Sequence, residues 1–99
     1  MVHLKPAVMR AFLIRILMVY IYVLYSHSAQ KYYVGMTKNL QQRIKEHNAG
    51  KSTFTAAFKP WILIFSETAD SYATARIREK YLKSAAGKKF VKKVMTKEE

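Results

Sequence analysis

Residues 19–25 read VYIYVLY, an unbroken stretch of apolar side chains rich in Val, Ile and Tyr, and it limits the fold more than any other part of the chain. A continuous run of this kind suits a buried strand. Successive strand residues point to opposite faces, so Tyr20, Tyr22 and Leu24 share one face and Val19, Ile21 and Val23 the other. The apolar character begins earlier, in AFLIRIL, and the whole segment has the look of a signal or membrane sequence, with Lys5 and Arg10 before it and Ser26, Ser28 and Ala29 after it. Arg15 interrupts it, however, and the uninterrupted part, 16–25, has ten residues. A bilayer span needs about 20. Residues 1–17 therefore read as an N-terminal extension, 18–95 as one domain and 96–99 as a C-terminal tail.

The rest of the chain supplies companions for that strand. SHSAQK is a polar turn, so KYYVGM is expected to return antiparallel as a second strand, ending at Gly35, where a side chain would obstruct a bend or a close ligand approach. Asn39 is a good helix N-cap, and Gln42 three residues later completes a capping-box pattern. Gly50 after EHNA is a helix stop. Between them Leu40, Arg43, Ile44 and His47 fall on one stripe, which puts an arginine and a histidine on the apolar, inward side. GKSTFTAAFKP reads as a loop closed by Pro60, and WILIFSE as a third strand. Ser71 caps a further helix running to about Ser84, with Tyr72, Ala75, Arg78, Glu79 and Leu82 on one stripe. Ala73, Ile77 and Tyr81 make its other side apolar too, so the pattern leaves the inward face open. KKFVKKVM forms a short basic helix. The order β-β-α-β-α-α predicts an α+β domain: a small three-stranded antiparallel sheet flanked by helices.

Charge narrows the partners. Eighteen Lys+Arg against six Asp+Glu give the 99-residue chain a net +12, and nine of the basic residues lie at 76–97, where Glu79 is the only acid. Such a field favours a polyanion, nucleic acid ahead of an anionic membrane surface. With no cysteine there is neither a disulfide nor a thiolate metal site, which is compatible with the cytoplasm.

YIY at 20–22, YVG at 33–35, Arg43 ten residues after Tyr33, His47 on the same helix and Glu79 on a later one together resemble the GIY-YIG nuclease domain. YVGMTKNLQQRIKEHNAGK, KPW and REKYLKS look most like its small single-domain bacterial members. They are also similar to the nuclease domain of the structure-specific endonuclease subunit that resolves branched DNA. The resemblance covers about residues 18–95. Each three-letter motif is weak alone; the specificity lies in five separated positions and the element order agreeing. The chain departs from the pattern at Tyr20, which stands where the first motif has glycine, and in having no asparagine after Asn48.

The resemblance implies a divalent-metal-dependent endonuclease acting on DNA, in the setting of DNA repair, with Tyr22, Tyr33, Arg43, His47 and Glu79 as the catalytic residues. Chemistry assigns them compatible tasks. Phosphodiester hydrolysis needs charge stabilisation, an oriented water and help for the leaving oxygen. Arg43 can grip phosphate through its planar fork of donors. Glu79 is the natural ligand for one Mg²⁺ or Mn²⁺ ion, which takes few carboxylates and completes its shell with water and phosphate. Tyr22 and Tyr33 can orient the attacking water. The resemblance implies a general-base role for the first-motif tyrosine, which requires nearby cations to lower a phenol pKa of about 10. His47 either shares the proton traffic or bonds a tyrosine hydroxyl.

Each residue also has an ordinary reading: core tyrosines, a surface arginine with an apolar stem, a hydrogen-bonded histidine, and a glutamate paired with Arg76, Lys80 or Lys83. Their coincidence on inward stripes favours a site. The competing class is a non-catalytic nucleic-acid-binding module on the same fold. One small domain makes few base contacts, so cutting is expected to follow DNA structure rather than sequence, with a partner protein available for targeting, no stable membrane association, and a monomer or transient dimer.

Overall fold

The computed structural model describes residues 5–97, in the order α1 (Pro6–Leu17), β1 (Val19–Ser26), β2 (Lys31–Thr37), α2 (Leu40–Asn48), α3 (Thr53–Ala56), β3 (Ile62–Ala69), α4 (Tyr72–Lys83) and α5 (Ala85–Lys97). The three strands form one antiparallel sheet in the order β2-β1-β3. The expected α+β architecture is therefore the observed one. VYIYVLY is its central strand, hydrogen-bonded on both edges, which is why no polar residue interrupts it.

Both faces of β1 are covered. On one, Val19, Ile21 and Val23 pack with Val34 and Ala69 beneath Ala75 and Leu82 of α4 and Val91 of α5. On the other, Tyr22 and Leu24 meet Trp61, with Tyr33, Leu40, Ile44 and Phe58 closing over them. Helices α4 and α5 thus lie over one face, and α2 with the α3 turn over the other. The register pairs Tyr22 with Gly35 and Leu24 with Tyr33, placing both tyrosine motifs side by side.

Several local expectations change. The N-terminal extension carries helix α1, opened by Pro6 in its first turn, and none of its residues is buried. Ile16 and Leu17 therefore belong to a helix, while the strand starts at Val19, where the sequence places it. The segment read as a loop contains the short α3. Gly35 does not end β2, which continues to Thr37. Asn39 caps α2 by accepting from the Gln42 N–H, but its own N–H goes to the Thr37 hydroxyl at 3.1 Å, so the reciprocal half of the capping box is made by threonine. The two apolar sides of α4 are resolved by packing: Ala75, Glu79 and Leu82 face inward, while Ile77 is 73% exposed.

Candidate active site

The site begins at the β1–β2 hairpin. Because Tyr22 and Gly35 face one another across the ladder, the Tyr22 ring can lie over the glycine. A Cβ at position 35 would stand 2.5 Å from the Tyr22 hydroxyl and 2.6 Å from the ring carbon bearing it. This is the close approach that YVG provides, and the object approaching is a tyrosine rather than a ligand.

Helix α2 delivers the next two groups. Its position at the end of β2 is fixed by Thr37 and the Asn39 cap, and its i, i+4 spacing aligns Arg43 with His47. His47 is fully buried. Its Nε2 lies 2.9 Å from the Tyr22 hydroxyl and its Nδ1 lies 2.7 Å from the Thr55 hydroxyl. Of the two roles open to His47, bonding a tyrosine hydroxyl is the one observed. Burial, reinforced by the Arg43 charge, lowers its pKa, so the imidazole is neutral at pH 7. A neutral ring has one donor and one acceptor; with Tyr22 donating to Nε2, Nδ1–H donates to Thr55.

The same burial acts on Tyr22. Its hydroxyl is pushed up to about 12 by desolvation, with Tyr33 adding to the rise and Arg43 opposing it. The cation that was expected to make this phenol a ready base is present, but burial outweighs it. Tyr33 is half-buried and forms the junction of the cluster, its ring 4.8 Å from His47 and 6.2 Å from both Tyr22 and Trp61, centroid to centroid. Arg43 spends one N–H on Glu46 at 3.1 Å and keeps its remaining donors beside the two tyrosines.

Glu79 reaches this group from the opposite direction. It projects from the inward face of α4 and is 7% exposed. Lys83 Nζ lies 3.4 Å from one carboxylate oxygen and Arg76 Nη1 3.7 Å from the other. Tyr33, Glu79, Lys83, Lys88 and Phe54 line one depression of about 350 Å³. Tyr22, Tyr33, Arg43 and His47 thus form one cluster, and Glu79 joins it through Tyr33. Tyr20, the departure from the first motif, lines a separate groove with Phe12, Ile16 and Leu40.

Among the described residues no three His, Asp or Glu side chains gather as a metal cage. A single inward carboxylate at an open depression nevertheless suits one Mg²⁺-type ion, which retains most of its water and shares the substrate phosphate. The donor set fits that mode of binding and no richer one.

Three supporting residues have roles that the sequence does not show. Thr55 holds His47, and its carbonyl accepts from Trp61 Nε1 at 2.7 Å. Asn48 accepts from the Trp61 backbone N–H at 2.6 Å and donates to its carbonyl at 3.1 Å. Trp61, expected only as core, is therefore the peg between α2, α3 and β3. A hint lay in Asn48 adjoining His47, but the pairing across thirteen residues is visible only in the fold.

Comparison with known proteins identifies the family. The chain is 38% identical over 66 residues to a UPF0213 protein of Natronomonas pharaonis, an alignment that covers 66% of this chain and 76% of that protein. No solved structure matches. The model of the GIY-YIG catalytic domain matches residues 18–93, which takes in both strands of the tyrosine motifs, Arg43, His47 and Glu79. The chain belongs to the GIY-YIG family of nuclease domains.

Proposed function

We propose that this protein is a divalent-metal-dependent endonuclease that hydrolyses DNA phosphodiester bonds according to the structure of the DNA rather than its sequence. The observation that carries the reading is Glu79: a carboxylate almost withdrawn from solvent, yet opening on the same depression as Tyr33 and rimmed by Lys83 and Lys88. A carboxylate placed only for stability would sit more cheaply in water, because exposed ion pairs contribute about 0–1 kcal/mol.

In this reading Glu79 holds one ion, which when bound supplies Lewis-acid polarisation of the phosphate and stabilises the leaving oxygen. Arg43 directs its free N–H donors at the non-bridging phosphate oxygens, whose charge grows towards the transition state. Tyr33, on the wall of the depression, orients the attacking water. Tyr22 stands behind it with its proton retained at neutral pH and serves as a relay: a proton arriving at the Tyr22 oxygen is matched by one leaving to His47 Nε2. His47, neutral and held by Thr55, is the acceptor that makes the transfer possible without a standing tyrosinate.

The test is cleavage of labelled duplex, single-stranded, flap and branched DNA with Mg²⁺ or Mn²⁺, with chelator, and with Glu79→Gln. Metal-dependent cutting is expected, lost in the variant while its thermal midpoint stays within a few degrees of wild type. Full activity in Glu79→Gln removes the assignment. Tight, salt-sensitive binding without cutting under either metal identifies a binding module instead.

A further inference from the structure

The α3 turn holds its two central side chains in opposite ways. Thr55 is fully buried, bonded through its hydroxyl to His47 and through its carbonyl to Trp61. Phe54, the residue before it, is 57% exposed and forms part of the wall of the depression that holds Tyr33 and Glu79. The turn is pinned from inside by Thr55, so it does not need Phe54 for docking. The ring touches Tyr33 only at long range, with centroids 6.2 Å apart and planes tilted by 34°. Phe58 meets it edge-on at 5.7 Å and fixes its orientation from behind. The result is a large aromatic face, backed by Phe58, open to solvent and set on the wall of the depression.

Its surroundings are cationic. Lys83 and Lys88 line the same depression, and Lys31 Nζ lies 4.9 Å over the Phe58 ring. An aromatic face among lysines matches a nucleotide chemically: the cations take phosphates, and the ring takes the flat face of a base. A depression of about 350 Å³ falls at the lower end of the range that small ligands occupy, ~300–1,000 Å³. A paired base inside duplex DNA has both faces stacked already and cannot offer one.

We propose that Phe54 is a stacking platform that seats one unpaired nucleobase of the substrate strand beside the phosphate held at Tyr33 and Glu79, so that the site selects strands with an unstacked base at that point. This deepens the nuclease reading and rests on it. Phe54 is a positioning and specificity residue; it takes no part in bond breaking.

The test deletes the ring and the base in turn. A flap DNA, whose junction fixes the register of the bound strand, is scanned with one abasic site moved along its single-stranded arm, and binding is measured in chelator so that nothing is cut. Base stacking on a protein ring contributes a factor of about 5 to 100 in affinity. Wild type is therefore expected to show one position at which the abasic site weakens binding by that factor. Phe54→Ala and Phe54→Leu are expected to abolish the difference at that position, and Phe54→Trp to retain it. The leucine variant keeps apolar cover over Tyr33 without an aromatic face, and matching thermal midpoints establish that all three variants fold. If no position is sensitive, or if the sensitivity survives Phe54→Leu, the stacking role is overturned and metal-dependent cutting by the same protein leaves the nuclease reading standing. If the flap DNA is not bound and no DNA is cut, both readings fall.

Discussion

His47 is withdrawn from water with a hydrogen bond on each ring nitrogen, so a proton added at Nε2 turns that nitrogen from acceptor into donor and reverses the Tyr22 bond. Burial comes first among the causes that lower its pKa, followed by the Arg43 charge, with Glu46 acting weakly in the opposite sense. In the unfolded chain a histidine titrates near 6.5. Below that pH the unfolded state therefore binds a proton that the folded state refuses, and stability falls as pH drops towards the lowered folded pKa; above about 6.5 the contribution is complete. Denaturant midpoints at pH 7.5, 6.5 and 5.5 are expected to decline for wild type and to decline less for His47→Gln, which carries no titrating ring. Equal slopes for the two proteins would mean that His47 takes up its proton as readily in the fold as in the unfolded chain. Much of this residue-level picture is legible in the chain: the tyrosine motifs, Gly35, Arg43 and His47 sit at spacings that bring them together. Thr55 is not legible. It lies eight residues beyond His47 in a segment of small and polar residues, and only the way Trp61 folds back over α3 turns its side chain inward. The rise in the Tyr22 pKa is not legible either, since a nearby cation can be read from sequence while the depth of burial cannot.

Elements hold the site at a distance through Trp61. Asn48, the last residue of α2, bonds both the N–H and the carbonyl of Trp61, just before β3 begins, while the indole N–H reaches the α3 carbonyl of Thr55. Asn48 thus ties α2 to the start of β3, and Trp61 carries the tie on to α3. Asn48→Ala removes two hydrogen bonds, each contributing about 0.5–1.5 kcal/mol, so a loss of about 1–3 kcal/mol is expected in urea or guanidinium unfolding. Hydrogen exchange should place the loosening at α3 and the start of β3, with β1–β2 protection unchanged. Uniform loss across the sheet would show that Asn48 supports the whole fold rather than this joint. The strands and the helices α2 and α4 were readable because each carries its own period and its own cap. The face that α4 turns inward was not, because Ile77 and Tyr81 make both sides apolar; the sheet decides, taking the small Ala75 together with Glu79 and Leu82. Gly87 explains how closely α5 then follows α4, since a Cβ there would fall on the Tyr81 carbonyl and the Leu82 Cα. The short α3 and helix α1 escaped notice, the one for lack of a period over four residues and the other because its apolar run continues into β1.

For the molecule as a whole, the distribution of acid matters more than the net charge. No acid precedes Glu46, and three of the six acids are already engaged: Glu46 with Arg43, Glu67 with Arg78, and Glu79 with Arg76 and Lys83. Among the described residues no ion pair engages Lys88, Lys89, Lys92 or Lys93, all of which are exposed on the outer face of α5. The inner face carries Val91, which is buried, and Phe90, which packs edge-on against Phe65 at 5.6 Å, so the lysines are held in a fixed row by an apolar stripe beneath them. Lys88 also borders the depression of Tyr33 and Glu79, which makes the row continuous with the site. A polyanion lying along it releases counterions, and log affinity then falls linearly with log salt, by about 0.9 per phosphate contacted on duplex DNA and about 0.7 on a single strand. Replacing all four lysines by glutamine is therefore expected to reduce the magnitude of the slope by up to about 3.6 on duplex DNA and about 2.8 on a single strand. Affinity at low salt should fall for every sequence alike, because phosphates carry no sequence information. The surface location of the four residues leaves the thermal midpoint close to wild type. An unchanged slope would place the backbone track elsewhere, on the acid-free surface contributed by residues 5–45, and would separate the phosphate contacts from the α5 end of the site.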